Sequence, residues 1–180
     1  LYSGVEGIAV GLSTKILPHN FSELINESIK VLKGKKPKLF PDFPTGGLVD
    51  VTNYKDGVRG GKIRVRARIS VVDKLTLVIK EIPFSTTTTS LITSIVKASE
   101  RGKIKIKHIE DNTSEKVEIV ISIPKGVSPD KTVDALYTFT DCEVSISPLC
   151  CVIKDKKPVF SSVSDILISS THRTVDLLKK

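Results

Sequence analysis

The chain has 180 residues, of which 28 are basic and 20 acidic, for a net charge of +8. Apolar residues make up 39% and aromatics 5%, with no tryptophan and no methionine. This predicts a globular fold with a sizeable core. No run of about 18 apolar residues is present to cross a membrane as a helix, and the few aromatic rings argue against a surface built on base stacking.

The excess of positive charge points to a polyanionic partner, nucleic acid before anionic membrane. A chain that starts at Leu1 and lacks methionine is expected to be a piece of a longer protein. The three cysteines, Cys142, Cys150 and Cys151, are odd in number, and two are adjacent. They suit neither a disulfide framework nor a zinc site with paired C-x-x-C spacing, and are read as buried, reduced thiols.

In chain order, residues 4–21 read GVEGIAVGLSTKILPHNF. Gly7 and Gly11 frame the short apolar stretch Ile8, Ala9 and Val10, leaving backbone open to a partner. Residues 20–33 predict a helix capped by Asn20 or Ser22, with Leu24, Ile25, Ile29 and Leu32 on one face. Gly34 ends it, and KKPKLFPDFPTGG follows as an irregular connector. Residues 62–69, KIRVRARI, alternate strictly. Lys62, Arg64, Arg66 and Arg68 share one face of a strand, and Ile63, Val65, Ala67 and Ile69 share the other. VVDKL is read as a turn and LTLVIKEI as the returning strand of a hairpin.

A run of threonines, 86–89, precedes the amphipathic helix SLITSIVKASERG, closed by Gly102. KIKIKHI alternates as a strand, DNTSE turns the chain, and KVEIVISI returns. SPDKTVDALYTFT opens a helix with Ser128 as N-cap and Pro129 at the first helical position. CEVSISPLCCVI is a last strand region, and VSDILISSTHRTVDLLKK a last helix. From residue 75 the order strand, helix, strand, strand, helix, strand is the ferredoxin-like split βαβ pattern. The class is therefore α+β, a mainly antiparallel sheet with helices on one face.

The basic strand carries the strongest chemical signal. Alternate side chains on it would cover about 20 Å, and arginine grips phosphate through two donors. Four such contacts on duplex DNA would give a slope of about −3.6 in log K against log salt. The bland alternative is a solvated sheet face. Catalytic or metal-binding patterns are not evident: His19, His108 and His172 are isolated, and no P-loop or nucleophile elbow is present.

GIAVG (7–11), Thr14, Ile16 and PHN (18–20), then PDFPTGG (41–47), RGGKIRVRA (59–67) and EIPF (81–84), together resemble the A subunits of bacterial type IIA DNA topoisomerases, most closely the topoisomerase IV branch, with gyrase next. The match runs across nearly the whole chain. It departs from the common pattern at Leu12-Ser13 and in the threonine run.

The resemblance implies a leading segment (1–33) with a wedge motif and helix. A DNA-bound tower domain (34–160) and the start of a coiled-coil arm helix (161–180) would follow. It also implies that Ile8 wedges between base pairs of the duplex to be cut, with His19 and Asn20 near DNA or capping the next helix. The family's nucleophile is a tyrosine in an Arg-Tyr-Thr motif, which none of Tyr2, Tyr54 and Tyr137 matches. This piece is thus expected to be inactive alone and to hold no cofactor. ATP and Mg2+ would belong to the ATPase B subunit that partners the parent. The parent would be a homodimer of A subunits, cytoplasmic and chromosome-associated, with double-stranded DNA as its substrate. An RNA-binding module would need exposed aromatics on its central strands, which KIRVRARI and KIKIKHI lack. A structural spacer without DNA contact is the other alternative.

Overall fold

The computed structural model describes residues 1–180 and holds eleven strands and four helices. They sort into two units, each discontinuous along the chain. Unit 1 comprises 1–44, 51–63 and 146–180; unit 2 comprises 45–50 and 64–145. The α+β class is observed, and the pairings β1–β2, β3–β4, β5–β6, β6–β8, β7–β8 and β10–β11 are all antiparallel.

Unit 1 opens with a hairpin of β1 (Val5–Ala9) and β2 (Leu12–Ile16), joined by Val10 and Gly11. Gly11 has φ +76°, a turn conformation costly for residues with a Cβ. Helix α1 (Phe21–Leu32) follows, and the Asn20 side chain accepts the Glu23 N–H as its N-cap. Of the face of α1 predicted to be apolar, only Leu24 packs on the core. Phe21, Ile25, Ile29 and Leu32 are exposed, whereas Leu24, Glu27 and Val31 turn inward. Glu27 can be buried because its carboxylate accepts the Lys38 N–H at 2.9 Å and pairs with Lys30 at 2.5 Å.

Unit 2 is built on a four-stranded sheet. In chain order its strands are β5 (Arg68–Asp73), β6 (Thr76–Glu81), β7 (His108–Asp111) and β8 (Ile119–Ser122), and in space they run β5-β6-β8-β7. Helix α2 (Thr88–Glu100) connects β6 to β7, and β8 lies between them, antiparallel to both. That is the predicted split βαβ. Helix α3 (Pro129–Phe139) and α2 cover one sheet face, and Leu91, Ile95, Ala98 and Leu136 close on Leu77, Ile79, Ile119 and Ile121. The place beside β6 that a ferredoxin-like fold gives to its last strand is taken by β5. That last strand, β9 (Glu143–Ile146), instead joins a separate sheet, ordered β3-β4-β9, with β3 (Leu48–Asp50) and β4 (Ile63–Arg66).

Several expected boundaries move for identifiable reasons. The predicted strand 62–69 breaks at Ala67, whose N–H donates to the Cys142 carbonyl at 2.7 Å. The chain there changes partners, from β3 and β9 to β6. The predicted turn at VVDKL is largely strand, since β5 runs to Asp73; the Leu75 N–H closes the turn on the Asp73 carboxylate. KIKIKHI becomes a strand only at His108. Its earlier residues follow the end of α2, where Lys103 N–H bonds the Ala98 carbonyl, yet Ile104 still reaches the core. The helix expected from Ser90 starts within the threonine run: Thr87 caps α2 in a reciprocal pair with Ser90, and Thr88 and Thr89 begin the helix.

The final strand region is two strands rather than one, β9 and then β10 (Cys151–Lys154), and a further strand beyond it, β11 (Lys157–Phe160), pairs with β10 as a second hairpin in unit 1. Helix α4 (Val163–Leu178) ends the chain. It contributes Val163 and Leu167 to the unit 1 core with Leu39 and Cys150, and packs against α1. All three thiols are free; Cys142 and Cys150 are buried and Cys151 half-buried. Burial pushes the Cys142 and Cys150 thiols up to about 11. No helix is long and apolar enough to cross a membrane.

Candidate nucleic-acid interface

Ile8 stands near the tip of the β1–β2 hairpin, 89% exposed, with the wholly exposed Val10 beyond it. Its cross-strand partner is Ser13, too small to cover it. Burying an isoleucine side chain is worth about 1.5–3 kcal/mol, so a bare one on a projecting hairpin is available to a partner. Gly7 lies opposite Thr14, and a Cβ there would make only ordinary contact with the threonine methyl. Gly11 is required by the turn.

The hairpin is anchored at its base. Lys15 and Leu149 exchange backbone hydrogen bonds at 2.7 and 3.0 Å. The Thr14 hydroxyl donates to the Leu149 carbonyl and accepts the Cys151 N–H. Beside it is a cleft of about 350 Å³ lined by Ile8, Thr14, Lys15, Arg59, Gly60 and Leu149 among others. Lys15 pairs with Glu6 at 3.6 Å, whereas Arg59 and Lys62 are exposed and take part in no ion pair.

His19 and Asn20 follow β2; His19 is enclosed, and Asn20 is half-buried. His19 is 2% exposed, and its Nδ1 donates to the Leu1 carbonyl at 3.4 Å. Its Nε2 is buried without a partner. Burial holds the ring pKa below its ordinary value, and the imidazole stays neutral. Asn20 is spent on the α1 cap and on a 3.2 Å bond to Asp42.

Unit 2 presents the arginine row with its counter-charges in place. On the exposed face of β4, Arg64 pairs with Asp50, its cross-strand neighbour on β3, at 2.6 Å and with Glu143 of β9 at 3.9 Å. Arg66 hydrogen-bonds Glu143 and stacks 5.0 Å over the Tyr137 ring. Arg68 pairs with Glu81 at 3.0 Å. Glu81 also accepts the Gly47 N–H, and that bond, with Arg68, holds its carboxyl below the usual range. Lys62 lies one residue before β4 and is the unpaired member of the row.

The sequence pattern located the basic row but not its acids. Asp50, Glu81 and Glu143 are distant in sequence, and only sheet register brings them to the arginines. Lys15 and Arg59 were missed as companions of Ile8. Arg59 had a signal, its place in the RGGK motif; Lys15 had none.

The charge divides unevenly. Unit 1 holds 15 basic and 8 acidic residues, a net of +7; unit 2 holds 13 and 12, a net of +1. A polyanion therefore meets most of its attraction on the unit that carries the exposed hairpin.

A family model for the A subunit of DNA gyrase/topoisomerase IV matches residues 1–180. The chain is 46% identical over 167 residues to the DNA topoisomerase 4 A subunit of Borreliella burgdorferi, covering 93% of the chain and 26% of that protein. It is 32% identical to the DNA gyrase A subunit of Lawsonia intracellularis, covering 93% of the chain and 22% of the relative. It is 27% identical to the DNA gyrase A subunit of Chlamydia muridarum, covering all of the chain and 24% of the relative. The chain thus spans about a quarter of the length of these relatives, and it belongs to the family of DNA gyrase/topoisomerase IV A subunits.

Proposed function

We propose that the chain is a DNA-holding and DNA-bending part of a topoisomerase IV A subunit, whose parent passes one duplex through a transient break in another. In this reading residues 34–160 form the tower domain, and α4 begins the coiled-coil arm. The breaking tyrosine lies elsewhere in the parent. ATP and Mg2+ belong to the partner B subunit, and two A subunits pair around cytoplasmic, chromosomal DNA. A gyrase A subunit is the neighbouring assignment; the higher identity to the topoisomerase IV relative favours the first.

The observation that carries the reading is Ile8, bare at the tip of an anchored hairpin. Inserted at the minor groove, its side chain unstacks one base step at a cost of a few kcal/mol, offset by contacts along the bent duplex. His19 and Asn20 act behind it, packing the base of the hairpin and capping α1. Lys62 offers phosphate an unpaired cation. Arg64, Arg66 and Arg68 complete the track by exchanging carboxylate for phosphate, chemically similar acceptors.

Fluorescence energy transfer across a duplex of about 30 base pairs tests the wedge. Ile8→Ala is expected to reduce bending while leaving the melting temperature unchanged, since the side chain touches no core. Unaltered bending would sink the proposal. A structural role for the arginine row is the second reading, favoured by the carboxylate each arginine already holds. In that case Arg64 and Arg66 only tie β3, β4 and β9 together, and Arg68 ties β5 to β6.

A further inference from the structure

The second hairpin of unit 1 mirrors the first in its exposure. β10 and β11 meet through Asp155 and Lys156, both with positive φ (50° and 62°), a tight two-residue turn. Three lysines crowd that end: Lys154 and Lys157 face each other across the last rung, and Lys156 is in the turn. All three are exposed and none is in an ion pair, with Asp155 the single acid among them. Like charges directly opposite on paired strands destabilise a hairpin, so Lys154 facing Lys157 is unfavourable unless an anion sits between them. Ile153 stands beside them, 73% exposed, its partner Pro158 unable to cover it.

The two hairpins are stitched together at their bases. The Thr14 hydroxyl of β2 bridges the Leu149 carbonyl and the Cys151 N–H that opens β10. The Lys15–Leu149 bonds reinforce the joint. A body held by the first hairpin is therefore presented to the second at a fixed offset, within the unit that carries the net charge of +7.

We infer that the β10–β11 hairpin is a second nucleic-acid contact, in which Lys154, Lys156 and Lys157 grip backbone phosphates of the same duplex that Ile8 enters. The inference rests on the DNA-holding reading above. Lysine suits this task as a mobile point charge that follows a phosphate without demanding a fixed fork. The contact is sequence-independent: it adds affinity and salt dependence, and leaves bending to Ile8.

The test compares three forms of the chain on a labelled duplex of about 30 base pairs across a salt series, with bending read in parallel. The first is the Lys154→Gln, Lys156→Asn, Lys157→Gln variant, in which asparagine keeps the positive φ of the turn. It should flatten the slope of log K against log salt by about 2.7, with affinity at 0.1 M falling by about two orders of magnitude. Bending of the bound duplex should persist. The second form, Lys116→Gln, Lys125→Gln, Lys131→Gln, removes the same charge from unit 2 and should leave the slope within about 0.5 of wild type.

Equal flattening in the two variants would reduce the effect to net charge and overturn the inference, as would an unchanged slope in the first. Ile8→Ala, the third form, separates the two readings. If it leaves bending intact while the hairpin variant still flattens the slope, the wedge falls and the lysine contact stands. If it abolishes bending and the lysine variant does nothing, the reverse holds. A wild-type chain that fails to bind duplex at low salt would overturn both.

Discussion

The two units divide the work of a folded protein differently. Unit 2 concentrates its apolar residues: thirteen buried side chains from the four-stranded sheet, α2, α3 and the segments that join them form one cluster, and its charges nearly cancel. Unit 1 has a smaller cluster of Leu39, Cys150, Val163 and Leu167, leaves Ile8, Val10 and Ile153 bare, and carries almost all the excess charge. Exposed aliphatic side chains and unpaired lysines each cost an isolated chain something, in solubility or in self-repulsion. Unit 2 has exposed aliphatics and lysines too, but it is unit 1 that sets them at hairpin ends within an excess of positive charge, and that combination indicates which surface a partner covers. The lesson is that a row of arginines marks a partner less surely than the absence of acids around it.

The largest expected effect falls on the core of unit 2. Ile79 is fully buried in the centre of the sheet. Ile79→Ala should cost about 3–4 kcal/mol of stability by denaturant titration, and a loss below about 1 kcal/mol would mean that this cluster does not hold the unit. Unit 1 depends instead on backbone geometry. Gly57 has φ +78°, and a Cβ there would lie 2.6 Å from the Cys150 sulfur and 2.9 Å from a Val163 methyl. The Gly57 carbonyl also accepts the Cys150 N–H, and the Asp56 carbonyl accepts that of Val163. Gly57→Ala should therefore destabilise by at least about 2 kcal/mol, and an unchanged melting temperature would show the loop to be loosely held.

Acid should also touch the two units in different windows. His19 belongs to unit 1, and its pKa in the fold lies below the ordinary 6.5. The unfolded chain therefore binds the proton first. Stability contributed by neutral His19 is complete above about pH 6.5 and is lost as the pH falls toward the lower folded value. Glu81 of unit 2, also held below its ordinary value, loses its contribution only below about 4.5. Melting scans should show a decline beginning just under pH 6.5 that His19→Gln removes, with the loss below 4.5 intact. A decline that survives in His19→Gln would assign it to another group.

Much of this division was legible in the sequence, though not the part that depends on register. Helix starts and the basic strand announced themselves: Asn20 caps α1, Ser128 with Pro129 opens α3 though the serine side chain makes no capping bond, and Ile63, Val65 and Ala67 alternate with the arginines as expected. The β1–β2 hairpin was hidden because Val-Gly is a weaker turn signal than Asn-Gly, and its strands do not alternate cleanly. In KIKIKHI the pattern was present but the chain was leaving α2, and Ile104 reached the core without a strand. In α1, hydrophobicity named only Leu24 of the buried face, because Glu27 found partners in Lys30 and Lys38 that no periodicity describes. The carboxylates around the arginine row come from three strands, and only the paired sheets put them there.

Those carboxylates set the finest test of the comparison. Glu143 serves both Arg64 and Arg66, and its side chain is only 19% exposed. Reversing the arginines to glutamate would be a poor probe, since it would crowd new carboxylates against Asp50 and Glu143 and unsettle the sheet for reasons unrelated to DNA. Glu143→Gln keeps the shape and removes one charge. Its cost in stability should stay below about 1 kcal/mol, as for other solvent-reached pairs. If the arginines reach phosphate by exchanging partners, the variant should bind duplex more tightly, with a slope steeper by about 0.9 for each phosphate gained. An unchanged slope beside the same small stability loss would make the row a tie between strands, and would leave Ile8, Arg59, Lys62 and the second hairpin to hold the duplex.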